Sequence, residues 1–269
     1  TRLRGRYYEV RIFFFFFREF LSFRKNATDA ESEFKNYMRY GGLPGLHELP
    51  IDNEALISEY LYTLVNTVFY KDLIERYKIR EPDALARILR YVFDNLGNVT
   101  TARSISSFLL SQKVRITVDT VMNYLHFMES AFLINRVRRF DLKGKRFLEI
   151  YEKIYPADPG LRRGLIGYDD KDISQLLELI VYNELRIRGY NVYAGYLDNL
   201  EVDFVAERGK EKFYVQVCYL LTDEKVKARE FGNLLKIRDN HPKLVLSMDK
   251  FYPEEYLGIE HKYLIDFLL

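Results

Sequence analysis

The residues best suited to chemistry lie in EVDFVAERGKEKFYVQVCY, residues 201–219. Two apolar-rich runs flank a basic turn. Glu201 and Asp203 open the first run, and Gln216 and Cys218 sit in the second. In a strand, residues two apart point to the same side, so Glu201 and Asp203 share a face, and so do Gln216 and Cys218. If the strands pair, carboxylate and amide oxygens converge, and hard oxygen donors of this kind suit Mg²⁺ or Mn²⁺. Asp203 stands among Val202, Phe204 and Val205, where a carboxylate needs a partner. A further carboxylate would come from the preceding helix, as Glu178 or Glu184. About 600° of helical rotation separates those two, so only one of them can face a common site. Cys218, between large apolar residues, is expected to be buried beside Asp203, on the face of Gln216. Without a cationic neighbour it is a poor nucleophile.

The elements that must hold these residues follow from periodicity. The segment DISQLLELIVYNELRIRG reads as a helix stopped by Gly189. Strands follow at YNVYAGY, EVDFVAE and KFYVQVCY, then an amphipathic helix within TDEKVKAREFGNLLKIRDN and a buried strand at KLVLSMD. This order predicts a mixed sheet. Upstream, residues 83–156 read as helices over 83–95, near 101–111 and over 117–130, followed by two alternating strands around an LKGK turn. Three helices and a two-stranded wing are the winged-helix order. The third helix, TVDTVMNYLHFMES, contains no Lys or Arg, which favours protein docking over a DNA groove. The basic residues Arg136, Arg138, Arg139, Lys143, Lys145 and Arg146 fall on the wing, where they either meet phosphates or form a solvated face. Residues 29–80 read as helical, with Asp29 as a cap, Gly41 and Gly42 as a stop, and an apolar stripe at Leu56, Tyr60, Leu64, Val68 and Leu73. Residues 7–14 read as a strand and 17–23 as a short helix.

Composition bounds the rest. With 269 residues and 48% apolar content, two or three small domains can bury a core. A net charge of +2 neither requires nor excludes nucleic acid. One cysteine excludes an intramolecular disulfide and a cysteine-rich zinc site, and fits a reducing, cytoplasmic setting. The run RIFFFFFREF is too short and too charged at its flanks to span a membrane. There is no GxxxxGK[ST], HExxH or GxSxG, and the four histidines are scattered, which suits surface or packing roles. The chain opens on alternate arginines (Arg2, Arg4, Arg6) and reads as a fragment of something longer. Its charged, cysteine-poor composition is common in thermophiles.

The order helix-Glu, Asp, then (Asp/Glu)-x-Lys resembles the PD-(D/E)xK nuclease superfamily. Asp203 matches the first Asp, Gln216 the Asp/Glu position, and Cys218 stands where the Lys belongs. That Lys is taken to activate the attacking water and to stabilise phosphate charge, and a thiol does neither well. Lys225, Lys210 and Lys212 are candidates to replace it. A wider resemblance covers almost the whole chain. LRGRYYEVRI, REFLSF, YGGLP, YKDLIERYKI, TVDTVMNYLHFMESAFLI, KIYPADPGLR, LLELIVYNELRIRGYNVY, EVDFVAE, VQVCY and AREFGNLL resemble the C-terminal part of a prokaryotic, archaeal-type AAA ATPase family. That resemblance implies an ATPase remnant at 1–28, a helical linker at 29–82, a winged helix at 83–164 and a PD-(D/E)xK-like α/β domain with a mixed sheet at 165–269, an α+β chain overall. It implies that Arg4 and Arg6 lie near nucleotide-sensing positions and that ATP binds only the longer protein, with Mg²⁺ at the nuclease-like site. LEL at 177–179 keeps Glu178 but loses an Asn that the family often shows. FFFF at 14–17 replaces a common PFSF.

The first expectation is an interaction module for nucleic acid or protein, with a degenerate nuclease-like domain and self-association through the ATPase part. The alternatives are a metal-dependent endonuclease using Asp203, Gln216 and Glu178 or Glu184, and a winged-helix regulator that binds DNA. No membrane partner is expected.

Overall fold

The computed structural model describes residues 12–24 and 29–269. Among them the chain is a mixed α/β structure with ten α-helices and one nine-stranded mixed sheet. Arg4, Arg6 and most of the strand expected over 7–14 lie outside the described residues, and residues 12–16 are neither helix nor strand.

The first half is helical. Helix α1 (Phe17–Phe23) packs on α2 (Ala30–Tyr40). Asp29 caps α2 by accepting from Ser32 N at 2.7 Å, and Gly41 ends it with φ +80°. A 3₁₀ turn (Pro44–Glu48) leads to α3 (Glu54–Val68), which continues as π-helix over Phe69–Glu75. The stripe buried on α3 and its π-helical continuation is Ile57, Leu61, Val65, Phe69 and Leu73; of the stripe read from the sequence only Leu73 is buried, Tyr60, Leu64 and Val68 are half-buried, and Leu56 is exposed. The helix is apolar over more than one stripe, so periodicity alone does not choose between adjacent faces; contact with α7 does. Pro82 starts α4 (Pro82–Asp94) at the position where its missing N–H is not needed.

A short strand, β1 (Val99–Thr100), precedes α5 (Ala102–Ser111) and α6 (Val118–Ser130). The hairpin β2 (Ile134–Asp141) and β3 (Arg146–Pro156) follows, with β1 pairing β3 on its outer side. Helix α7 (Pro159–Ile166), not anticipated, begins at a strong signal, with Asp158 as cap and Pro159 in first position.

Helix α8 (Ile173–Ile187) then crosses the sheet built by β4 (Asn191–Leu197), β5 (Leu200–Arg208) and β6 (Glu211–Val217). Helix α9 (Glu224–Leu235), β7 (Lys243–Ser247), β8 (Glu255–Tyr256), β9 (Ile259–Tyr263) and α10 (Leu264–Leu268) complete the chain. The sheet order is β1-β3-β2-β4-β5-β6-β7-β9-β8. β4, β5 and β6 are antiparallel neighbours, and β6, β7 and β9 run parallel. The expected boundary at residue 164 does not interrupt the sheet, because β2 pairs with β4 in parallel over Arg139–Asp141.

Three apolar clusters result. One joins α1, α2, α8 and α10 to one face of the sheet. A second fills the helical half. The third lies under α9 on the opposite face and contains Cys218. No described helix is long and apolar enough to cross a membrane.

Candidate functional site

Strand pairing brings the expected residues together, and the join is unusual. The β5–β6 ladder runs from Arg208↔Glu211 to Phe204↔Val215. At the next pair, Asp203 and Gln216, side chains take over from backbone. Val217 N donates to Asp203 Oδ2 at 2.8 Å, and Asp203 N donates to Gln216 Oε1 at 3.4 Å. Both side chains are buried, at 5% and 7% exposure. Each is therefore already used to close the gap between two separating strands.

The ammonium missing at position 218 is present from elsewhere. Lys153, on β3 and 1% exposed, extends its Nζ into the carboxylates. It lies 3.0 Å from Glu178 Oε2 and 3.7 Å from Asp203 Oδ1, and it also pairs with Glu201. Tyr155, two residues on and pointing the same way, donates its hydroxyl to Glu178 Oε2 at 2.9 Å. Gly97, with φ +71°, closes over the pair. A Cβ there would stand 3.3 Å from Glu178 Oε2 and 3.4 Å from the Tyr155 ring.

The electrostatics follow from burial. Two buried carboxylates, Glu178 and Asp203, beside one ammonium cannot both ionise freely. Asp203 is pushed well above the usual carboxylate range, first by burial and then by Glu178; Lys153 opposes this. Glu178 is raised as well, again first by burial, with Lys153 acting against it. Burial alone would lower Lys153, but Tyr155, Glu178, Asp203 and Glu201 together outweigh it and raise the lysine well above its ordinary value. The lysine stays charged, and the buried Asp203 and Glu178 bear the cost.

The other expected residues are placed as follows. Glu184 faces away from the cluster and accepts from Arg188 Nε at 2.6 Å, so of the two helix glutamates only Glu178 reaches Asp203's neighbourhood. Cys218, 4% exposed, is packed in the cluster with Val202, Tyr214 and Phe231 beneath α9, and burial raises its thiol strongly, with Glu230 and Asp203 adding to the effect. Lys212 pairs with Glu207 at 3.1 Å, and Lys210 and Lys225 are exposed. Lys153 was missed, although KIYP carries a signal: a lysine and a tyrosine at alternate strand positions beside apolar residues. Nothing in the sequence says which carboxylates they meet.

The cations of the β2–β3 hairpin are mostly engaged. Arg136 is held by Glu152 at 2.9 Å, Arg138 stacks on Phe147, and Arg139 stacks on Tyr196. Arg146 lies 3.8 Å from Asp141, and Lys143 is 2.9 Å from Asp198. Lys145 has no ion-pair partner among the described residues. The β2–β3 register shifts between Arg138, opposite Glu152, and Arg139, opposite Leu148.

As arranged, the donors do not fit a divalent ion. Gln216 Oε1 and Asp203 Oδ2 accept backbone N–H groups, and the Lys153 ammonium stands among the remaining carboxylate oxygens. No group of three or more His, Cys, Asp or Glu among the described residues is arranged to hold a metal ion. What the arrangement does is neutralise buried carboxylates and tie β3, α8, β5 and β6 to one point.

Comparison with known proteins adds a family. A domain of unknown function, DUF8612, matches residues 31–172, more than half of the chain. An uncharacterized protein of Haemophilus influenzae is 33% identical over 274 aligned residues, covering 100% of this chain and 66% of that protein. An uncharacterized protein of Methanocaldococcus jannaschii is 31% identical over 238 residues, covering 83% of this chain and 52% of its own length. The chain thus spans between about half and two thirds of the length of these relatives. Helices α3 to α7, all but the first residue of α2, and the β2–β3 hairpin that carries Lys153 fall within the matched region, and on that match the chain belongs to the DUF8612 family.

Proposed function

We propose that the chain is the C-terminal part of an AAA-type ATP-binding protein and serves there as an interaction module whose nuclease-like site does not cleave. The observation that carries this reading is the Lys153 ammonium among Glu178, Glu201 and Asp203, with Gln216 and Asp203 already bonded to backbone. The order α8, β4, β5, β6, α9, β7 supports the PD-(D/E)xK-like fold, and α4, β1, α5, α6, β2, β3 supports a winged helix. Fold likeness alone carries no activity. ATP would be bound by the part of the longer protein that holds a P-loop. The test is incubation of the chain with DNA and RNA in Mg²⁺ or Mn²⁺. No cleavage is expected, and metal-dependent cleavage that disappears in Asp203→Asn would overturn the reading.

One observation favours a second reading. Lys153 brings an ammonium to the acidic residues that the nuclease pattern places beside its Lys, so it is positioned to supply the charge absent at Cys218. On this reading the chain is a metal-dependent endonuclease, and cleavage is lost in Lys153→Met as well as in Asp203→Asn. The engaged state of Gln216 and Asp203 favours the first reading.

A further inference from the structure

A groove of about 980 Å³ runs between the wing turn, the β4–β5 turn, the start of β6 and the C-terminal end of α9. Five Lys and Arg residues line it against two aspartates, Asp198 and Asp239. Two of the cations are neutralised locally: Lys143 by Asp198 at 2.9 Å, and Lys212 by Glu207 at 3.1 Å. Lys145, Lys236 and Arg238 are exposed and have no ion-pair partner among the described residues. They come from two distant parts of the chain, the β2–β3 turn and the segment after α9, so only the tertiary fold gathers them. Asp239 is already committed, accepting from the Tyr214 hydroxyl at 2.5 Å and from His241 N at 3.1 Å.

We infer that this groove binds the phosphate backbone of a nucleic acid, with Lys145, Lys236 and Arg238 as its contacts. The inference rests on the reading of the chain as an interaction module and names its partner and site. A protein partner would need an accessible apolar or aromatic anchor at the centre. Here the Lys212 ammonium sits 5.0 Å from the Phe140 ring centre and 5.5 Å from that of Tyr214, Tyr214 is buried, and of the apolar side chains lining the groove only Leu235 is exposed. One exposed leucine is a small anchor for a protein, whereas the three exposed unpaired cations Lys145, Lys236 and Arg238 match a regularly charged polymer. Contacts of this kind bind without reading sequence. The hairpin arginines do not line the groove: Arg136 is paired with Glu152, and Arg138 and Arg139 stack on Phe147 and Tyr196.

The experiment is fluorescence anisotropy of a labelled DNA duplex with the 269-residue chain, in EDTA, from 50 to 200 mM salt. Wild type is expected to bind with an affinity that falls steeply with salt. The triple variant Lys145→Gln, Lys236→Gln, Arg238→Gln should bind at least about tenfold more weakly at the lowest salt, with the log–log salt slope shallower by about 3, roughly one per lost phosphate contact. Lys35→Gln on α2, outside the groove, should match wild type. Circular dichroism checks that the exposed substitutions leave the fold intact. Absence of wild-type binding at low salt overturns the inference, as does a triple variant with wild-type affinity and slope. Equally tight binding of polyglutamate overturns the nucleic-acid assignment. Cleavage of the same duplex on adding Mn²⁺ would overturn the non-cleaving reading while leaving the groove result standing, so the two failures are distinguishable.

Discussion

Lys153 Nζ lies 3.7 Å from Asp203 Oδ1, although β3 and β5 are not neighbours in the sheet. The long side chain spans the gap and meets Glu178 on the covering helix at 3.0 Å. Removing one partner of a buried ion cluster strands the others, which costs about 3–5 kcal/mol. Lys153→Met should therefore lose stability of that order in urea unfolding. The triple variant Lys153→Met, Glu178→Gln, Asp203→Asn should recover much of it, because neutral groups of similar shape often replace a buried pair at little cost. A single variant as stable as wild type would show that the cluster is not held by the lysine.

Cys218→Lys restores the residue that the nuclease pattern asks for, yet position 218 lies in the apolar cluster under α9, with Val202, Tyr214 and Phe231. The new ammonium would replace a small buried thiol among apolar side chains, with a desolvation cost. The variant should be destabilised by about 2 kcal/mol or more. Nuclease assays should stay at background. Metal-dependent cleavage gained by this variant would refute the non-cleaving reading.

Asp158 is the buried knot of the helical half. Its carboxylate accepts from Gly42 N at 2.8 Å and Gly160 N at 2.7 Å, with Leu161 N as a third donor. Asp158→Ala leaves these buried donors unpaired, at roughly 1–3 kcal/mol each, so thermal unfolding should show a loss of about 3 kcal/mol or more.

The same residue sets a pH dependence. Burial outweighs the three N–H donors and raises Asp158 to about 7. The native protein holds this proton up to about pH 7, whereas the unfolded chain releases it near pH 4. Between those limits the folded state binds more protons, so this group's contribution to stability falls as pH rises through about 7. Asp158→Asn mimics the protonated form and should flatten that part of the profile. An unchanged slope would assign it to other buried carboxylates.

Gly97 adopts φ +71° directly over Glu178. Gly97→Ala would impose a left-handed conformation, at about 1–2 kcal/mol, and crowd the carboxylate oxygen. A measurable drop in melting temperature is expected, and a neutral result would mean that the loop can move aside.

The local elements were legible in the sequence because they rest on local physics. Asp29 caps α2, Pro82 starts α4, Gly189 stops α8, and the alternation in EVDFVAE and KFYVQV is that of strands. Asp203 and Gln216 were legible as a pair because two strands joined by a short turn pair antiparallel, and helical rotation showed that only one of Glu178 and Glu184 could join them, without saying which. Three things were decided by tertiary structure alone. The buried face of α3 depended on which stripe α7 covered, since a helix apolar on adjacent stripes does not choose between them. The occupant of the acidic site depended on β3 being carried to within a lysine's length of Asp203 and Glu178, a non-local approach with no sequence period. The basic groove depended on the β2–β3 turn meeting the end of α9, and long-range packing of this kind leaves no local signal.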